Sequence, residues 1–110
     1  MTRISLDERI TVLLDAAESV RAAENRSQRE AKIKFLTRRA ADAMDERDKL
    51  YHKLDIGWDR LDLMDRDEDP ELYDKREEQY LGWLRDYQRL CDALHEASQI
   101  WTLPKRKDAA

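Results

Sequence analysis

One apolar repeat constrains the fold of this 110-residue chain more than any other feature. Between residues 33 and 64, ten positions alternate three and four residues apart, and all are apolar except Arg47 and Gly57. Such an alternation, sustained over more than four heptads, is typical of a coiled-coil seam. It predicts a long helix over residues 27–65, packed along its length against another helix.

The composition favours a fold made only of helices. The chain holds two glycines and two prolines, while 42% of its residues are charged and 41% are hydrophobic. Few residues can therefore break a helix, and a β protein would lack its usual turn residues. We predict an all-α fold: a long antiparallel helical hairpin, coiled-coil-like, with a shorter N-terminal helix in a three-helix arrangement. The length suits a single helical domain over residues 1–110.

An acidic stretch that ends in a proline marks the turn of the hairpin. Residues 65–70 read Asp-Arg-Asp-Glu-Asp-Pro. Pro70 cannot continue a helix but suits the first turn of the next one, with Asp69 as its N-cap. We predict the third helix over residues 70–103 and a polar tail over residues 104–110. The apolar face of this helix is wider than a two-stranded seam needs, so it should contact more than one neighbour.

The N-terminal helix is predicted over residues 5–24. It opens with a capping box at Ser5–Glu8, in which a serine and a glutamate can satisfy each other's backbone amides. Asn25 indicates a break, because asparagine tolerates the backbone conformation that ends helices. A second capping box at Ser27–Glu30 then starts the next helix. One unbroken helix through residues 5–65 is the alternative.

The same Gly-Trp pair occurs on each side of the turn. Gly57-Trp58 and Gly82-Trp83 contain the only two glycines of the chain. Antiparallel pairing brings the two glycines within about one turn of each other, so the pairs are predicted to face each other across the seam. A residue without a side chain leaves room for an indole from the other helix. A close helix crossing is favoured over a ligand pocket, because aromatic residues at helical spacing mostly belong to cores.

The far end of the hairpin is predicted to be a partner-binding tip. If the N-terminal helix folds back over the open end, only two helices remain from about Arg47 to Tyr87. Six of the eight aromatic residues of the chain lie there, and an exposed patch of this kind usually marks a binding site. The predicted partner-binding residues are Trp58, Tyr73, Tyr80, Trp83 and Tyr87. A homodimer in which two tips form a four-helix region would cover them, and so would a different protein.

Opposite charges collect at the two ends of the long helix. Residues 26–39 hold six basic residues and one acid, whereas residues 55–78 hold eleven acids and four bases. Positive charge then lies at the positive pole of the helix dipole, so local helix stability does not explain the pattern. A solvated surface is the ordinary explanation, and docking of a second copy or a partner is the functional one. Contact with nucleic-acid phosphates is the alternative, through Arg29, Lys32, Lys34, Arg38 and Arg39.

The pattern of reactive residues does not favour catalysis. The pairs His52/Asp55 and Asp92/His95 each place an imidazole and a carboxylate on one helix face, as di-iron bundles do. Antiparallel pairing separates the two histidines by roughly 18 Å along the bundle, so no metal site is predicted. Cys91 falls on an apolar stripe with no base placed to activate it. Phosphate-binding glycine loops and nucleophile motifs are absent from the sequence. We predict no enzyme activity, no cofactor and no small-molecule substrate.

The remaining features favour a cytoplasmic protein. The longest purely apolar run is three residues, Val12 to Leu14, so neither a membrane span nor a membrane partner is predicted. The N-terminus lacks a secretory signal, and the single cysteine fits a reducing compartment. The leading hypothesis is a small cytoplasmic protein–protein interaction or assembly protein. It would act through coiled-coil helix packing and charge complementarity, as a homodimer or with another protein. The alternative is an accessory nucleic-acid-binding protein. The net charge of the chain, −4, gives no general attraction to phosphates, and the sequence has no pattern typical of base recognition.

Overall fold

A computed structural model describes residues 4–102 of the chain. Within this range the chain forms three helices and no strand: α1 (Leu6–Arg21), α2 (Arg26–Leu63) and α3 (Pro70–Thr102). Each helix contacts the other two. The predicted all-α, three-helix arrangement is therefore confirmed, as is a third helix with more than one neighbour. The predicted end of that helix at Leu103 and the polar tail over residues 104–110 lie outside the described residues.

Helix α2 buries the stripe that its three-four repeat predicts. Five of the ten repeat positions are buried: Leu36, Ala43, Leu50, Leu54 and Leu61. The other five are half-buried: Ile33, Ala40, Arg47, Gly57 and Met64. The repeat therefore identifies the buried side of a 38-residue helix from end to end.

The turn between α2 and α3 is built from short side-chain contacts. The Asp69 carboxylate accepts a hydrogen bond from the Leu72 amide at 3.1 Å, and Pro70 is the first residue of α3. Helix α2 ends at Leu63, where the next residue takes an extended backbone. The predicted cap at Asp69 is correct, while α2 ends two residues earlier than predicted.

Helices α1 and α2 are separate, and α2 begins one residue before its predicted start, with a different N-cap. Asn25 is the N-cap of α2: its backbone is extended, and its side chain accepts a hydrogen bond from the Gln28 amide at 2.9 Å. Ser27 therefore lies inside the helix and does not cap it. Asparagine caps helices at least as well as serine, so the first suitable residue takes the role. Helix α1 has the predicted cap at Ser5 but ends at Arg21.

Replacing Asn25 by alanine is expected to lower the free energy of unfolding by about 1 kcal/mol, because the Gln28 amide loses its acceptor. The matched control is Ser27→Ala, which removes a hydroxyl two residues away and should change stability by a few tenths of a kcal/mol. Urea unfolding of both variants measures the difference. An equal or larger loss for Ser27→Ala would show that the cap is misassigned.

Two ion pairs fix the direction of α1 along the hairpin. Arg9 pairs with Asp42 of α2, and Asp7 pairs with Arg89 of α3. Between them and the far end of α1, the fully buried side chains Leu13, Val20 and Leu90 form the centre of the core.

The start of α1 reaches further toward the tip than predicted. Ile4 and Leu6 border one cavity together with Leu50, Lys53 and Trp83. The predicted beginning of the two-helix region at Arg47 is therefore wrong by almost two turns of α2.

Candidate functional site

Helix α2 carries a row of exposed side chains beside its buried stripe. Thr37, Met44, Tyr51 and Trp58 stand seven residues apart, and each directly follows a repeat position. Because seven residues make almost two full turns, these side chains form one straight row on a supercoiled helix. All four are exposed, with Tyr51 at 61% and Trp58 at 58%. Packing within the three helices does not account for two aromatic residues in this row.

Helix α3 carries the matching row, also at seven-residue spacing and half-buried: Tyr80, Tyr87, Leu94 and Trp101. The two rows pair in antiparallel order. The ring centroids of Trp58 and Tyr80 lie 6.0 Å apart, and those of Tyr51 and Tyr87 also lie 6.0 Å apart. Both ring pairs are tilted, a favourable geometry for aromatic contact. One heptad along α2 therefore corresponds to one heptad back along α3.

The other two pairs continue the row toward the open end of the hairpin. Met44 with Leu94, and Thr37 with Trp101, line one apolar cavity of about 370 Å³ between α2 and α3. Small side chains complete much of its lining: Ala40, Ala41, Ala97 and Ser98. A cavity thus lies at this end of the row, and the Trp58 end carries an exposed indole that borders a second cavity with Tyr80. We call the eight residues of the four pairs the ladder face.

Helix α1 lies on the opposite side of the α2–α3 pair. Glu46 and Lys53 border a cavity together with Leu6 and Arg9 of α1. These two α2 residues each follow a ladder-face residue by two positions, which is about 200° around the helix. Helix α1 therefore leaves the ladder face uncovered. The described residues measure 67 × 36 × 19 Å, so the molecule is elongated.

Four of the five predicted partner-binding residues lie on or beside the ladder face. Trp58, Tyr80 and Tyr87 belong to it. Tyr73 borders a cavity together with Trp58 and Tyr80, and the Arg66 guanidinium lies 5.6 Å from its ring centroid. The structure thus brings these aromatic residues together at one side of the tip.

The fifth residue, Trp83, belongs to the close contact between α2 and α3. A Cβ atom on Gly57 would lie 3.3 Å from the Trp83 ring and 3.3 Å from the Tyr80 ring. A Cβ atom on Gly82 would meet only Arg85, at 3.9 Å. The predicted packing of an indole against a glycine of the other helix is therefore found at Gly57 with Trp83, whereas Gly82 has no such contact with Trp58.

The asymmetry has a simple cause in helical phase. In α2 the glycine of the pair occupies a repeat position, and the tryptophan after it lies on the exposed flank. In α3 the tryptophan packs against Gly57, and the glycine before it lies about 100° away around the helix. The same Gly-Trp sequence therefore leaves Trp58 exposed and packs Trp83 between α2 and α3.

Four ladder-face residues with large side chains were not predicted from the sequence: Met44, Tyr51, Leu94 and Trp101. A signal for them is present, because large side chains recur every seven residues through both helices. On α2, each of these side chains directly follows a member of the three-four repeat. They therefore form a second stripe beside the buried one.

The five predicted phosphate contacts are divided between two flanks of α2: Arg29, Lys32, Lys34, Arg38 and Arg39. Lys34 and Arg38 stand four residues apart and are exposed. Lys32 and Arg39 stand seven apart on the other flank and are half-buried. The Arg39 guanidinium lies 4.9 Å from the Phe35 ring centroid. Exposed Arg29 stands three residues before Lys32. This division does not favour one continuous phosphate tract, and nucleic-acid binding stays a prediction.

A phenol and a thiol interact with each other at the ladder face. Interaction with the Cys91 side chain, chiefly a hydrogen bond, raises the pKa of Tyr87. Its phenol is therefore neutral at physiological pH. Cys91 itself is half-buried and free. His52 and His95 are exposed, and residues 4–102 contain no group of three or more side chains suited to hold a metal ion.

Comparison with protein-family models, curated proteins and solved structures finds no match to this chain. Among the described residues, no helix is long and apolar enough to cross a membrane.

Proposed function

We propose that this chain is a cytoplasmic protein–protein interaction or assembly protein that binds partner helices along the ladder face. One observation carries the proposal: Met44, Tyr51 and Trp58 are each more than two-fifths exposed, and they form a regular row with their α3 partners. From Thr37 to Trp58 the row is about 31 Å long. Contiguous apolar surface on this scale usually marks an interaction site.

The chemistry of the row suits binding by helix packing. Tyrosine and tryptophan bury large areas while losing few rotatable bonds, and they dominate the energetics of many protein interfaces. Seven-residue spacing on both helices offers a straight groove and ridge pattern into which another helix can pack. The proposed activity is therefore recognition and not catalysis.

Site-specific photo-cross-linking in the cells that express the protein tests this proposal. A photoreactive phenylalanine analogue at Tyr51 should give one discrete, saturable cross-linked product. The same analogue at Leu63, which is 87% exposed but lies away from the ladder face, is the matched control. Equal products from both positions, or none from Tyr51, would overturn the proposal.

A further inference from the structure

We infer that the ladder face binds a second copy of the same chain in antiparallel orientation, with the exposed Trp58 of each copy over the Met44–Trp101 cavity of the other. The inference rests on the proposed function, because it names the partner of that same surface. It differs from a tip-to-tip homodimer, since the whole length of the hairpin takes part and α1 stays on the outside of both copies.

A two-fold rotation can bring the exposed indole of the ladder face over its apolar cavity. Its midpoint on α2 falls between Met44 and Tyr51, and its midpoint on α3 falls directly opposite. A two-fold axis through these midpoints, perpendicular to the helices, exchanges Thr37 with Trp58 and places α2 over α2. The exposed Trp58 indole of one copy then lies over the cavity of about 370 Å³ in the other, which Ala40 and Ala41 help to line. A closed, isologous dimer needs this kind of self-complementary surface.

The charges along the flank of the ladder face follow the same symmetry. Lys34, Asp48, Asp55 and Asp62 are all exposed on the flank beside the row. Asp48 lies near the two-fold axis, where Arg47 of its own chain forms an ion pair with it at 3.3 Å. Lys34 precedes Thr37 by three residues, and Asp55 precedes Trp58 by three, so each lies next to the corresponding end of the row. In the antiparallel dimer, Lys34 of one copy lies level with Asp62 of the other to within about one residue. Each end of the dimer thus joins opposite charges.

The same charges oppose a dimer whose two tips lie together. Residues 55–78 hold eleven acids and four bases, a net charge of −7. Bringing two such segments side by side would place like charges together, which disfavours a wrong arrangement strongly. A two-fold axis allows either a dimer with both tips at one end or an antiparallel dimer with the tips at opposite ends. The charges favour the antiparallel dimer.

The area of the face is close to what a stable dimer needs. In each copy, α2 and α3 lie side by side, and each is about 10 Å wide. Over a row about 31 Å long they give a footprint of roughly 600 Å² per copy. Standard interfaces bury about 800 Å² per partner. Side chains on both flanks, such as Leu81, which is 53% exposed, add to the footprint.

Analytical ultracentrifugation of the purified full chain gives the first test. We expect a concentration-dependent dimer at micromolar protein, and Trp58→Ser should raise its dissociation constant about tenfold or more, since buried aromatic anchors dominate interfaces. Leu63→Ser is the matched control and should leave the dissociation constant unchanged. Circular dichroism should show that both variants stay helical. A strict monomer, or equal weakening by both variants, would overturn the inference.

Cysteine cross-linking then tests the orientation. In a Cys91→Ser background, Ala41→Cys chains are mixed with size-tagged Asp55→Cys chains and treated with a short bismaleimide. The two positions lie level in the antiparallel dimer, so the mixed product should dominate. Like positions of the two copies lie about 20 Å apart along the helices in this arrangement, beyond the reach of a short linker. Products that join only like positions would overturn the antiparallel arrangement.

The outcomes separate this inference from the proposed function. A discrete photo-cross-link from Tyr51 to a different protein, together with a monomer in ultracentrifugation, would retain the interaction surface and overturn the second copy as its occupant. Loss of the Tyr51 photo-cross-link together with a strict monomer would overturn both.

Discussion

Replacing Leu90 by alanine is expected to lower the free energy of unfolding by about 2–5 kcal/mol. Leu90 of α3 is fully buried in the core that the three helices share. The truncation removes apolar contacts and leaves a cavity that the surrounding helices can only partly fill. A loss of this size is a large fraction of the stability of an ordinary domain, about 5–15 kcal/mol. Urea unfolding followed by circular dichroism measures it.

Leu63→Ala is the matched control for this change. It removes the same atoms from a helical leucine that is 87% exposed, so the expected change is within about 0.5 kcal/mol. Both variants should be compared at one protein concentration, because self-association would stabilise the folded state by mass action. Similar losses for the two leucines would contradict the three-helix core.

Replacing Gly57 by valine is expected to lower the free energy of unfolding by about 1–3 kcal/mol. The new Cβ atom would lie 3.3 Å from both the Trp83 and the Tyr80 rings, and two further methyl groups cannot fit without moving them. The rings or the helices must therefore separate at the close contact of the tip. Tryptophan fluorescence during chemical unfolding reports both the stability and the environment of Trp83.

Gly82→Val is the matched control, because it makes the same substitution at the glycine of the second Gly-Trp pair. Only the end of the Arg85 side chain lies within reach of the new Cβ atom, at 3.9 Å. Valine has a slightly higher helix propensity than glycine, so this variant should be neutral or more stable by a few tenths of a kcal/mol. If Gly57→Val were no more harmful than Gly82→Val, the close contact at Gly57 would not exist.

Much of the fold follows from local patterns in the sequence. Every member of the three-four repeat from Ile33 to Met64 is buried or half-buried in α2. The caps at Ser5 and Asp69 are also where the residues predict them. These features are accessible because helical phase and capping depend on residues only a few positions apart.

The errors in the predicted fold have equally local causes. Asn25 and Ser27 are both competent caps two residues apart, and their relative strength does not decide between them. The reach of α1 depends on how its ion pairs to Asp42 and Arg89 set it along the hairpin. Such contacts join residues far apart in the chain, so short-range patterns do not reveal them.

The candidate site was only partly predictable for the same reason. The aromatic tip residues were identified by their number and spacing, yet Trp83 packs inward while Trp58 points outward. A difference of one residue in helical phase changes the role of a side chain by about 100° around the helix. Tyr51 and Met44, which extend the site along the hairpin, lie outside the predicted partner-binding set.

By itself the sequence determined the helices, their antiparallel order and the buried stripe of α2, because periodicity states which residues share a side of a helix. Only the tertiary structure decided which flank of that stripe would be covered. A third helix can pack on either side of a helical hairpin, and the choice depends on long-range contacts such as Arg9 with Asp42. Helix α1 took the side of Glu46 and Lys53. The ladder face was thereby left open, and the proposed function follows from that exposure.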